Sequence, residues 1–185
     1  LLAFLIALSV CNALQNGRAP TAPPPTIATL GDVRAIRRKS DFVAAWRAAP
    51  APASYAGLVF DAELVSLGVT ARMGAFITHV LFGGGRRWLG KTFTAASHGI
   101  NRCEGGKAAR RFGLQVTASR LDGNPALVLD YASATATDAF WGGVMGMRDE
   151  LREVAPGILL GLGSMAATGG ARNCAPFVCF RPRAA

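Results

Sequence analysis

From residue 57 onward the chain alternates between apolar and polar positions. In Gly57–Leu64, Leu58, Phe60, Ala62 and Leu64 fall on one side of an extended backbone, and Val59, Asp61 and Glu63 fall on the other. That is the pattern of a half-buried strand. A second extended segment is predicted from Gly74 to Phe82, closed by Gly83-Gly84-Gly85. A third runs from Arg87 to Thr94, with Trp88, Gly90 and Thr92 on one face and Leu89, Lys91 and Phe93 on the other. Phe112, Leu114, Val116 and Ala118 alternate up to Asp122-Gly123 and are answered by Ala126–Tyr131, which predicts a hairpin. Two late strands are predicted at Ile158–Ser164 and Ala175–Phe180. Between these and the hairpin, Val144, Met147, Leu151 and Val154 recur at helical spacing, so a short helix is expected near 144–154.

Seven or so strands joined by short turns, with no regular strand–helix–strand repeat, predict a mainly β domain. The pattern fits a small antiparallel barrel or sandwich; the barrel is the expected architecture, and it can enclose one small ligand. Upstream, Ser40 and Asp41 are placed to cap a short helix whose Phe42, Val43 and Trp46 share one face. The barrel domain with this helix is expected to span 40–185.

Composition narrows the class. Hydrophobic residues are 51% of the 185, which excludes a disordered tail. Charged residues reach only 17%, and 22 glycines with 10 prolines interrupt the chain too often for a bundle of long helices. Leu1–Val10 is an unbroken apolar run, about half of what a bilayer crossing needs, followed by Cys11, Asn12 and Ala13. Residues 1–13 therefore read as a signal-peptide core, implying the secretory pathway or an extracellular destination. Residues 14–39 are rich in Pro, Ala and Arg and read as a linker or transit region. The two segments together also match a two-part plastid targeting sequence.

The net charge of +9 would attract an anionic membrane surface or another polyanion. Nucleic acid is disfavoured, because Phe112 and Trp88 alternate as core residues do and are not interleaved with the arginines on one face. No C-x-x-C or His-rich spacing points to a metal, and no cofactor motif is present. Cys103, Cys174 and Cys179 are expected as mainly structural thiols, the last two on opposite faces of a strand because their spacing is odd.

Candidate chemistry is sparse. His79 and His98 are the two histidines. His79 is expected on the strand face of Ala75 and Ile77, where it could fix a ligand carboxylate or act as a base with Asp130 or Glu150 as acid; the bland reading is a core histidine bonded to backbone. His98 is expected in a loop. Ser164 lacks a G-x-S-x-G frame. Arg148, Asp149, Glu150, Arg152 and Glu153 read first as a solvated helix face with Asp149 and Arg152 paired, and second as a source of Arg148 for an anionic head group. Arg86 and Arg87 after the glycine run, with Lys91 and Arg110, form a basic set that could cradle an anion. Asp130 reads as a partner for an arginine.

The W-x-G-K strand of Trp88, Gly90 and Lys91, set among alternating strands with few helices, resembles the lipocalin-like, or calycin, barrels. The stretch Arg148-Asp149-Glu150-Leu151-Arg152-Glu153-Val154 with Pro156-Gly157, together with Leu129-Asp130-Tyr131, is similar to uncharacterised small proteins of no assigned activity. Over residues 57–180 the resemblance implies an architecture more than a function, and a barrel of that kind is expected to carry a small hydrophobic ligand such as a fatty acid, isoprenoid or pigment, with or without an anionic end. Phe76, Trp88, Phe93, Leu114, Val116 and Leu129 would line it, and His79 or an arginine such as Arg148 would hold the polar end. The alternatives are a lipid-modifying isomerase or hydrolase with His79 as base, and a noncatalytic module docking on an anionic membrane or partner through Arg86, Arg87 and Arg110.

Overall fold

A computed structural model describes residues 23–67, 71–83, 85–106, 108–132 and 144–181. Eight strands run in sequence order: β1 Val59–Leu64, β2 Trp88–Thr92, β3 His98–Cys103, β4 Ala108–Ala118, β5 Pro125–Asp130, β6 Met147–Ala155, β7 Ile158–Met165 and β8 Ala175–Phe180. Each pairs antiparallel with its neighbour, and β8 returns to β1 with Ala62 opposite Cys179, so the sheet closes into a barrel. Closure leaves no strand edge without a partner. The leader segment 1–13 lies outside the described residues.

Alternation sorts the side chains into two cores. Inward-facing Phe60, Phe93, Phe112, Leu114, Leu127, Leu129, Leu151 and Leu159 form the barrel core. Edge-to-face ring pairs, Phe60 with Phe93 at 5.4 Å and Phe93 with Phe112 at 6.0 Å, fill one half of it. Outward-facing Ala126, Leu160, Leu162 and Val178 form a second core with two helices, α1 Leu30–Ala35 and α2 Lys39–Ala48. Cys174 belongs to the outer core and Cys179 to the inner one, as their odd spacing predicts; both are unbridged.

Four expectations are corrected. Residues 14–39 are not linker throughout, because Ile27, Val33 and Ile36 are buried against the barrel and Thr29 with Asp32 forms a capping box for α1. The helix expected from Ser40 starts one residue earlier, after Arg38, with no side-chain cap. The segment read as a strand from Gly74 is helical: α3, Ala71–Phe76, passes into a wide π-helical turn over Ile77–Phe82. An apolar run without charged positions does not distinguish the two periods. Conversely, 147–155 is a strand and not a helix, and β3 was not anticipated, because both place polar side chains inside the barrel.

Gly161 shows how tightly the strands pack. It stands directly opposite Phe177, and a Cβ there would lie 2.2 Å from the ring. Gly161→Ala is therefore expected to cost about 1–3 kcal/mol through overpacking and to displace Phe177 from its seat. Urea unfolding would check this, and an unchanged midpoint would show that the ring yields freely.

Candidate functional site

The last residues of β1, β3, β5 and β7 and the first of β2, β4, β6 and β8 mark one end of the barrel. There, opposite the aromatic plug, lies a cavity of about 140 Å³. Its apolar wall includes Leu64, Trp88, Met147, Met165 and Phe177, and Gly74, Ala75, Ile77 and Thr78 of the α3 connection close over it. Lys91, Asn101, Tyr131 and Asp149 supply its polar wall.

These four form one buried network. Lys91 Nζ donates to Asp149 Oδ2 at 2.8 Å, to Asn101 Oδ1 at 2.8 Å and to the Tyr131 hydroxyl at 3.0 Å. The Tyr131 hydroxyl donates to Asp149 Oδ2 at 2.8 Å, and Asn101 Oδ1 also accepts from Trp88 Nε1 at 3.0 Å. All three ammonium protons are thus engaged. Around the ammonium stand the rings of Trp88 and Phe112, each at 5.1 Å, Phe177 at 5.4 Å and Tyr131 at 5.7 Å. Those faces favour a cation in a site where few waters solvate it. Burial, helped by the neighbouring Asp149 charge, raises the Tyr131 phenol well above its ordinary value, so it stays protonated.

One strand irregularity and one glycine make this arrangement. Strict alternation separates Trp88 from Lys91, but the pairing of β2 with β3 shifts register between Trp88 and Gly90. Gly90 takes up the bulge at φ 151°, and both side chains then reach the interior. On the other side, Asp149 pairs across the sheet with Gly163. A Cβ at Gly163 would stand 3.0 Å from Asp149 Oδ1. Without it, that oxygen lies beside a cavity-lining glycine. Among the described residues nothing donates to Oδ1, whereas Oδ2 accepts twice. The site therefore presents an acceptor.

Several expected site residues lie elsewhere. Trp88 lines the cavity, but Phe93, Leu114 and Leu129 fill the barrel core away from it. Phe76 is 48% exposed on α3, and Val116 is 45% exposed on β4. His79 is on the π-helical turn, where its Nδ1 accepts from the Trp88 backbone N–H at 3.1 Å. Burial, with Arg87 adding to it, lowers its pKa, in keeping with a neutral acceptor. Asp130 caps the Ala132 N–H at 2.8 Å on the exterior, so His79 and Asp130 do not form a catalytic pair in the cavity. Glu150 points outward, bonded to Ser119, to Arg120 N and to Arg148 Nε at 2.9 Å. Arg148 is thus held outside the barrel. His98 opens β3 on the surface, its Nδ1 3.3 Å from Ser97 Oγ, at the plugged end. Ser164 lines the cavity but donates to the Arg148 carbonyl at 3.2 Å.

The basic set divides. Arg86 and Arg87 are exposed, while Lys91 points inward. Arg110, Arg86 and Lys91 all pull the Cys103 thiol down, yet burial outweighs them and its pKa is raised. Among the described residues no group of three His, Cys, Asp or Glu side chains could share a metal ion.

Asn101, Tyr131 and Asp149 went unrecognised in the sequence, as did Lys39 at the cavity rim. The signals present were a lysine beside W-x-G and a tyrosine ending the hairpin.

No protein-family model matches the chain. No curated protein matches it either. Among solved structures it is similar to a protein from Thermomonospora curvata at 17% identity, covering 80% of this chain and 89% of that one, with a TM-score of 0.52. At that identity the likeness supports the barrel and nothing finer.

Proposed function

We propose that this barrel binds a compact, largely apolar molecule and reads one hydrogen-bond donor on it with Asp149. The observation that carries the reading is the carboxylate oxygen Oδ1, held in a largely apolar cavity with no donor of its own among the described residues. Such sites are mostly apolar, with a few placed polar groups that fix orientation. A cavity of about 140 Å³ is comparable to one that admits benzene. Within the ligand classes expected from the sequence, a single ring or short chain fits best. An anionic end is not expected to seat on Lys91, because its three donors are already engaged. For proton transfer the same geometry favours Asp149 over His79 as base, since His79 is bonded to backbone away from the cavity wall.

Matched ligands test the reading. Phenol and benzyl alcohol are expected to bind at least about tenfold tighter than their methyl ethers, because an ether leaves the buried oxygen without a donor. Titration calorimetry or ligand-observed NMR would measure the ratio. Equal affinity for alcohol and ether, or no binding of either at millimolar concentration, would remove Asp149 as the recognition element.

A further inference from the structure

Lys39 opens α2 in the outer layer, yet it lines the same cavity, as do Leu67, Thr168, Asn173 and Cys174. It is only 6% exposed. The other cations buried in the described residues have carboxylate partners: Lys91 has Asp149, Arg152 has Asp122, and the largely buried Arg148 has Glu150. Lys39 makes no ion pair or side-chain hydrogen bond among the described residues. Its nearest titratable neighbour is the Cys174 thiol, which burial pushes up despite the pull of Lys39, so that neighbour is neutral and no counter-ion. Burial in turn lowers the Lys39 pKa, partly offset by Cys174. An ammonium on a side chain this deeply set, without an opposite charge, is unfavourable unless something else supplies one.

We infer that Lys39 is an anion-binding residue of this cavity and takes the carboxylate of a small acid whose body lies in the barrel mouth. The inference rests on the cavity reading above and extends it: a hydroxyl or N–H on the ligand meets Asp149, and an acid group meets Lys39. The preferred ligand class is then a short hydroxy or aromatic hydroxy acid. It would bring to the rim the negative charge that the described residues do not provide there.

The test compares acids with their amides, which keep shape and hydroxyl but lose the charge. Hydroxybenzoates and C3–C6 hydroxy acids are expected to bind the wild-type chain at least about tenfold tighter than the corresponding amides. Lys39→Met, which keeps the apolar stem, is expected to abolish that preference, so that acid and amide bind the variant with equal affinity. If acids and amides bind the wild type equally while phenol binds, Lys39 has no such role and the cavity reading survives. If phenol, acids and amides all fail to bind, both readings fall. The wild-type comparison decides the matter even if Lys39→Met does not fold, and a preference for acids that persists in a folded Lys39→Met protein would overturn the inference.

Discussion

Arg152→Ala is expected to lower folding stability by about 3–5 kcal/mol, the loss typical when one member of a buried ion pair is removed. Arg152 is fully buried on the outer face of β6. Its guanidinium meets Asp122 through two nitrogens, at 2.8 and 2.7 Å, and donates to the carbonyls of Pro125, Asn124 and Arg47 at 3.0–3.1 Å. It also stacks 4.0 Å from the centre of the Trp46 ring. One side chain thereby ties the β4–β5 turn, β6 and the end of α2 together. Its removal leaves Asp122 half-buried without its cation and several carbonyls without a donor.

The pH dependence should change as well. Burial works to raise the Asp122 carboxyl, and bonds from Arg152 and the Asn124 backbone outweigh it, leaving its pKa below the ordinary 3.8. A depressed carboxyl adds stability that is complete above 3.8 and is lost as pH falls through the folded value. In Arg152→Ala that acid-side loss should flatten. Urea unfolding at several pH values measures both effects, and a cost under about 1 kcal/mol would show that α2 is held mainly by its apolar face.

Lys91→Met should be similarly costly, about 3–5 kcal/mol, because Asp149 would stay buried opposite a thioether. The double change Lys91→Met with Asp149→Leu should recover part of the loss, since no lone charge remains, although Tyr131 would lack two partners. The double variant, which lacks Asp149, should not retain the preference for alcohols over ethers. The double mutant separates stability from recognition: a refolded barrel that still discriminates alcohol from ether would show that another group reads the donor. If Lys91→Met alone were as stable as the wild type, the network would have to relax around the missing ammonium.

Much of the barrel is legible in local pattern. Phe60, Ala62 and Leu64 point inward as their alternation predicts, and the 112–118 and 126–131 pair forms the expected hairpin. The failures share a cause. In β6, Asp149 and Arg152 were read as neighbours on a solvated helix, whereas a strand sends one into the barrel and the other beneath α2. Charge in sequence signals water unless a counter-charge is known to be near, and Lys91 lies 58 positions from Asp149. For Trp88 and Lys91, a single bulge inverted the face assignment.

Alternating hydrophobicity, glycine-marked turns and the absence of long helical periods were enough to point to a mainly antiparallel β domain, because these are local consequences of which face of each strand avoids water. The polar site was decided by tertiary structure. Lys91, Asn101 and Asp149 come from separate strands and Tyr131 from the residue after a fourth, and they are stable inside only because closure brings each within reach of the others. Pairing over such separations, a register shift at one glycine and a missing side chain at another are properties of the assembled barrel.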